Sequence, residues 1–219
     1  MCKNSTKIIL VRHGQSIGNQ TRTFLGHTDL DLSEMGYLQA KATAECLKGE
    51  KIDIIYASDL KRAYNTAYFH AKMRNLEVIP CKNLREAYAG EWEGKNVDEL
   101  IATWGADFFT NEWKNNFGCF TFPGGESVKD AGERFYNEIM RISTENQGKT
   151  ILIGAHAAVI RAFWAIISGV EWSNVAEQIP FATNASYSIV SYKNGKFTPL
   201  KYSIDDHLSE VGITKVNLI

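Results

Sequence analysis

Arg12 and His13 close the apolar run Lys7-Ile8-Ile9-Leu10-Val11, and Gly14 follows them. His156 closes a second apolar run, Thr150 to Ala155, and Arg62 stands shortly beyond a third, Asp53 to Ala57. An imidazole offers a nucleophile or a proton carrier near neutral pH. A guanidinium offers a fork of donors to an oxyanion. Gathered in one place, these side chains would make an anion site with two imidazoles inside it. A lone Arg-His-Gly carries little weight, because a loop arginine beside a hydrogen-bonded histidine accounts for it equally well. The question is whether the chain brings the three runs together.

The elements answer that it does. Lys7–Val11 is short, nearly unbroken and rich in β-branched residues, as expected of a strand buried on both faces. Strand and helix signals then alternate, which predicts an α/β fold with a mostly parallel sheet. Ser33 reads as an N-cap for a helix from Glu34 to about Lys48, closed by Gly49. Asp53–Ala57 is the second strand, and Ser58-Asp59 can cap a helix to about Met73 with Leu60, Ala63, Tyr64, Ala67 and Ala71 inward. Arg62 in its first turn is out of keeping with the positive end of the helix dipole unless an anion shares that end. Leu76–Ile79 reads as a short third strand. Asn83 to Lys95 is a Gly- and carboxylate-rich loop, and Asn96 to Phe122 mixes helical pattern with seven aromatic residues. Pro123-Gly124-Gly125-Glu126-Ser127 turns into a helix that buries Phe135, Ile139 and Ile142 and ends at Gly148. Thr150–Ala155 repeats the opening strand, and a helix follows from Ala157 to about Ile167. Ala185–Tyr192 and Phe197–Ile204, joined by Lys193-Asn194-Gly195-Lys196, form a hairpin that adds at least one antiparallel strand.

At 219 residues, 44% apolar and 22% charged, the chain has the composition of a globular protein with a substantial core. The expected organisation is a single domain over 1–219, with 96–125 as a lid or substrate-specificity insertion. A net charge of −1 gives no general electrostatic case for nucleic acid or an acidic membrane. Met1 to Thr6 runs directly into the first strand without space for a signal peptide, and no apolar run has the length of a membrane span. Cys2, Cys46, Cys81 and Cys119 are widely spaced with no Cys-x-x-Cys, which fits a reduced, cytoplasmic protein better than a disulfide framework or a zinc site.

In a parallel sheet the carboxyl ends of the strands face one crevice. Arg12, His13, Arg62 and His156 therefore converge although they are far apart in sequence. Neither histidine has an acidic neighbour at metal-ligand spacing, so the cluster suits a phosphate group better than a metal. The motifs around these residues resemble those of the histidine phosphatase superfamily, also called phosphoglycerate mutase-like. Arg12-His13-Gly14-Gln15-Ser16 with Asn19 is similar to its signature. Gly26-His27-Thr28-Asp29, Leu32-Ser33 with Gly36 and Gln39-Ala40, and Ala57-Ser58-Asp59-Leu60-Lys61-Arg62-Ala63 with Thr66-Ala67 resemble its next segments. Leu84-Arg85-Glu86 with Gly90, Trp92-Glu93-Gly94, then Phe122-Pro123-Gly124-Gly125-Glu126-Ser127 and the His156 strand follow in order, so that the resemblance spans nearly the whole chain.

The resemblance implies a three-layer sandwich with helices on both faces of the sheet. It implies that His13 attacks phosphorus and becomes a phosphohistidine, while Arg12 and Arg62 hold the phosphoryl oxygens. Their charge would also keep the His13 imidazole neutral before substrate arrives. It implies that His156 adds a hydrogen bond to those oxygens, that Asn19 and backbone N–H groups near Gly26 and Ala157 complete the pocket, and that Glu86 acts as general acid and then base. Glu91 and Glu93 in the same loop are rivals for that last role. Neither a metal nor an organic cofactor is implied, and the partner is a small phosphorylated substrate.

Two features depart from the family pattern or divide its members. Ala155-His156-Ala157 lacks the hydroxyl residue before the second histidine and the glycine after it. Leu25 stands where mutases of the family carry a hydroxyl residue, and Glu86-Ala87-Tyr88-Ala89-Gly90 with Trp92-Glu93-Gly94 resembles the phosphatase branch. The expected function is a phosphomonoesterase. A phosphoglycerate mutase-type transferase and a non-catalytic phosphate-binding protein of the same fold are the alternatives. No Gly-x-Gly-x-x-Gly or Walker-type loop supports a nucleotide enzyme.

Overall fold

A computed structural model describes residues 5–214, so that expectations resting on Met1–Asn4, Cys2 among them, lie outside the described residues. The strands are β1 (Thr6–Arg12), β2 (Ile54–Ala57), β3 (Val78–Pro80), β4 (Thr150–Ala155), β5 (Tyr187–Lys193) and β6 (Lys196–Ile204). The longer helices are α1 (Glu34–Cys46), α2 (Lys61–Arg74), α3 (Val97–Trp104), α4 (Val128–Glu145) and α5 (Ala157–Ser168). One sheet holds the six strands in the order β3-β2-β4-β1-β5-β6. The first four in that order run parallel, and β5 is antiparallel to both its neighbours.

The layers follow from the alternation of side chains along each strand. Ile8, Leu10, Tyr56, Ile151 and Ile153 point to one core, with Phe135, Ile139 and Ile142 of α4 and Val159, Ala162 and Phe163 of α5. Ile9, Val11, Ile55, Ala57 and Leu152 point to the other, with Ala67 and Ala71 of α2 and Leu47 just after α1. Both faces of β1 and β4 are thus covered, which is why their sequences are continuously apolar. The result is the expected three-layer sandwich with a mostly parallel sheet.

The element boundaries show where local sequence yields to tertiary contacts. Ser33 caps α1 by accepting the Gly36 N–H, but the helix ends at Cys46 with Leu47 as its cap, short of Gly49. At α2 neither Ser58 nor Asp59 is the N-cap residue. Leu60 takes that position without a side-chain bond, and Asp29 from a distant loop accepts the Lys61 N–H at 2.7 Å. Asp59 is turned instead to Arg85. Strand β3 begins two residues later than Leu76, and α4 ends at Glu145 with Asn146 as its cap, ahead of Gly148. The hairpin turn has Asn194 and Gly195 both at positive φ (51° and 77°), the mirror-image turn that suits the twist of paired strands.

The segment after Asn96 continues from α3 through a break at Gly105 (φ 89°) into short helical turns up to Cys119. Its aromatic residues gather on Trp92, which is fully buried. Phe109 stacks on the indole with ring centres 4.9 Å apart, and Phe120 and Phe122 pack around it.

One buried group in α2 carries a stability consequence. His70 is inaccessible to solvent and neither ring nitrogen has a hydrogen-bond partner. Burial, helped by the charges of Arg74 and His207, lowers its pKa to about 3. A group whose pKa falls on folding stabilises the fold above its ordinary value, and that contribution is lost as pH falls from about 6.5 towards 3. Urea unfolding at pH 7.5 and pH 5 should therefore show a smaller acid-induced loss in His70→Leu than in the wild type, by about 2 kcal/mol.

Candidate active site

The carboxyl ends of β1, β2 and β4 lie side by side, since Arg12 pairs with Ala155 and Ala57 with Gly154 in the sheet register. The chain leaves β1 at Arg12-His13-Gly14 and crosses above α1. Gly14 has no room for a side chain there, because a Cβ would lie 2.4 Å from the Gly36 carbonyl oxygen. Its N–H donates to Thr66 Oγ1, whose hydroxyl donates to the Arg62 carbonyl, so the loop after β1 is fastened to the first turn of α2.

A cavity of about 80 Å³ opens at this edge. Of the eight residues singled out in the sequence, Arg12, His13, Asn19, Gly26, Arg62, Glu86 and Ala157 line it. The exception is His156. It is fully buried beside His13, with ring centres 5.2 Å apart, and both its ring nitrogens lack a hydrogen-bond partner. Glu86 is the carboxylate of its loop that reaches the cavity. Glu93 is occupied in joining loops, accepting from the N–H groups of His27 and Ala89, and Glu91 does not line the cavity.

The orientation of each polar group is fixed. His13 donates Nδ1–H to the carbonyl of Gly14 at 2.7 Å, which leaves the lone pair on Nε2. Arg62 donates to the Gly26 and Thr28 carbonyls at 2.8 and 2.9 Å, and Arg12 donates to Ala182. These bonds hold the two guanidinium groups in place with Nε of each buried and unpartnered. The Glu86 carboxylate sits on the N-terminus of α5, accepting from Ala158 at 3.0 Å, Val159 at 3.1 Å and its own neighbour Ala87 at 3.0 Å. A carboxylate is well placed at the positive end of a helix.

The charge balance is unusual. Burial lowers Arg12 and Arg62 to about 10, and Glu86 partly offsets that effect on each. Burial lowers both His13 and His156 well below the ordinary imidazole range, and the nearby arginines push the same way. The cluster therefore comprises two cations, two neutral imidazoles and one carboxylate. An anion with several oxygens is the ligand that such a set of donors accepts.

Several supporting residues were not singled out from the sequence. Asn184, fully buried, donates Nδ2–H to the His13 carbonyl at 3.2 Å and to Asn19 Oδ1 at 3.1 Å. Asn19 Oδ1 also accepts the Ser16 N–H, so its NH2 end is the one left for a ligand. Ala185, at φ 56°, donates its N–H to the same His13 carbonyl. Arg134 and His27 donate to the Glu86 carbonyl at 3.1 and 2.8 Å, and Glu126 grips Arg134 and the Tyr88 N–H. A loop asparagine before a strand, or an arginine on an exposed helix face, carries no local signal. Only the folded geometry assigns them a part.

The family model for the histidine phosphatase superfamily, branch 1, matches residues 8–205, and the chain belongs to that superfamily. Its members named here are enzymes of the phosphatase and mutase type. Phosphoserine phosphatase 1 of Hydrogenobacter thermophilus is 34% identical over 208 residues, covering 93% of this chain and 95% of that protein. A phosphoglycerate mutase of Schizosaccharomyces pombe is 32% identical over 197 residues, covering 87% and 92%. Among solved structures, the Entamoeba histolytica phosphoserine phosphatase in complex with 3-phosphoglyceric acid superposes with a TM-score of 0.79 at 27% identity, covering 93% of this chain and 99% of that one.

The lowered imidazoles have a direct readout. NMR titration of the ring protons in the free protein should show His13 and His156 neutral and unchanging from pH 8 down to 5.5. Arg62→Met should move the His13 midpoint upward, because it removes one of the charges that disfavour the imidazolium. Asn184→Ala should weaken binding of inorganic phosphate, measured by calorimetry, by about tenfold, in line with loss of an oriented hydrogen bond at Asn19.

Proposed function

We propose that this protein is a metal-independent phosphomonoesterase that works through a phosphohistidine at His13. The observation that carries the reading is the orientation of that imidazole. Nδ1–H is committed to the Gly14 carbonyl, Nε2 is left free, and the ring is kept neutral between Arg12 and Arg62 beside a cavity.

In the first step Nε2 forms a bond to phosphorus as the ester P–O bond breaks, and Glu86, having taken a proton from the monoprotonated phosphate ester as it binds, delivers that proton to the departing alcohol oxygen. In the second, Glu86 as carboxylate takes a proton from water, the hydroxide oxygen bonds to phosphorus, and the N–P bond breaks to return neutral His13 and free phosphate. Arg12 and Arg62 hold the charged oxygens throughout. Such transfers depend mainly on positioning and charge stabilisation, which buried, pre-oriented donors supply. His156, unpartnered and next to His13, supplies a further N–H to the same oxygens. The Asn19 amide and the Ala157 N–H, the first of α5, complete the phosphate site. Glu86 takes the next two amides of the helix, so the alanine after His156 leaves the phosphate donor in place.

The hydrolase reading is favoured over the mutase reading by the cations in the cavity. Among the described residues Arg12 and Arg62 are the two cations that line it, whereas holding a bisphosphorylated intermediate calls for further cations at a second phosphate. We read residues 1–219 as one domain, with 96–125 as a lid that brings Trp113 and Phe122 to the cavity. The cavity has space for a phosphoryl group and a short appendage, so the substrate is a small metabolite. Cys46, Cys81 and Cys119 are free thiols, as a cytoplasmic enzyme would have, and no helix among the described residues is long and apolar enough to cross a membrane.

Phosphate release in the presence of chelator should persist in the wild type and fall by at least about 10³-fold in His13→Ala. Glu86→Gln should cost about 10²- to 10⁴-fold, more for esters of poorly acidic alcohols than for aryl esters. Acid-quenched enzyme should lose, and base-quenched enzyme keep, a phosphoryl label in the wild type. Interconversion of phosphoglycerates faster than phosphate release would overturn the hydrolase reading in favour of the mutase.

A further inference from the structure

The cavity is lined by two contiguous sets of residues. One is the polar set already described. The other comprises Thr23, Phe24, Leu25, Trp113, Phe122 and Phe181. Its rings form a continuous wall, with Trp113 touching Phe24 at 5.4 Å, Phe122 at 5.2 Å and Phe181 at 6.3 Å between centres.

Among the described residues, no cation lines this wall. Arg12 and Arg62 are tied to the backbone at the polar end. Arg161 lies behind the wall, its guanidinium 4.2 Å from the Phe181 ring centre and 4.6 Å from that of Phe117. Its Nε and Nη2 donate to the carbonyls of Val175, Ala176 and Ile179, which fixes it against Phe181, and Arg161 is not among the residues that line the cavity. Arg22, beside Thr23 in sequence, is paired with Asp98 at 2.9 Å.

We propose that the substrate's leaving group is an uncharged alcohol with an apolar body, and that esters bearing a carboxylate or ammonium beside the phosphate are disfavoured. The assignment rests on the phosphomonoesterase reading above and sets this chain apart from relatives named for phosphoserine and phosphoglycerate. The physical reason is desolvation. A carboxylate pressed against the aromatic wall loses its hydration and meets no donor, whereas a ring or alkyl chain there gains from the water it sheds. The balance amounts to at least about a tenfold preference in binding.

The test uses two phosphonates that cannot be hydrolysed. Calorimetry with the wild-type protein should show benzylphosphonate binding at least about tenfold more tightly than 2-amino-3-phosphonopropionate; each lacks the bridging oxygen of its ester, benzyl phosphate or phosphoserine, so the two are matched in length. In turnover, benzyl phosphate should exceed phosphoserine in kcat/KM by a similar factor. Both are esters of primary alcohols, which limits the effect of leaving-group reactivity. Thr23→Lys places a cation at a half-buried lining position whose side chain bonds Thr21. It should narrow both ratios by about tenfold. Equal or reversed affinities in the wild type would overturn the proposal, and so would ratios unmoved by Thr23→Lys. Selective binding of benzylphosphonate without turnover of any ester would overturn the hydrolase reading while upholding the apolar ligand. Binding of neither phosphonate would overturn both.

Discussion

The feature on which the structure depends is the burial of two guanidinium groups beside two imidazoles at one edge of the sheet. Left to themselves, Arg12 and Arg62 would repel each other, and both have lost their hydration. Three things make this tolerable. Backbone carbonyls from the loops at Gly26, Thr28 and Ala182 accept from the guanidinium groups. Both histidines remain uncharged. Glu86 stands close enough to offset part of the positive field. The same arrangement that limits the cost of burial leaves the unpartnered nitrogens of His156, Arg12 and Arg62 as the donors on which a phosphate would act.

Much of the remaining chain serves to hold the loops that make this possible. The Glu86 loop is secured at its backbone, by His27 and Arg134, and at its carboxylate, by the start of α5. Gly90 and Gly125 allow the loop and the turn before α4 to touch, because a Cβ on either would collide with the other segment's backbone. Glu126 then ties Tyr88 to Arg134. The bidentate pair of Arg85 with Asp59 joins the same loop to the end of β2, at 2.7 Å for each bond. Residues that look like a surface charge pattern in the sequence are thus cross-braces between loops.

The sandwich and the convergence of Arg12, His13, Arg62 and His156 on one sheet edge were legible because they rest on strong local signals, whereas Glu86 was singled out only through the motif resemblance. Doubly buried strands are continuously apolar, and polar residues abruptly ending such strands mark a sheet edge. Boundaries were less legible. The cap of α2 comes from Asp29, some thirty residues upstream, and no window around Ser58 contains it. His156 was placed at the right strand end, but its edge-on contact with His13 depends on side-chain packing that periodicity does not encode. Asn184 was invisible for a similar reason, since its partners are Asn19 and the backbone of His13 at the other end of the chain.

That last contact bears on when the site comes into being. Among the described strands β1 is made before the others, yet it lies between β4 and β5, and the carbonyl of His13 just beyond it is held by Asn184 and Ala185. A nascent chain that has emerged only as far as α4 has neither neighbour for β1 and neither of the groups that hold the His13 carbonyl. Pairing across so long a span is slow relative to local helix formation. The histidine proposed as nucleophile is therefore made 171 residues ahead of the asparagine that holds its carbonyl, so this edge of the sheet is assembled only after β5 has begun to emerge from the ribosome.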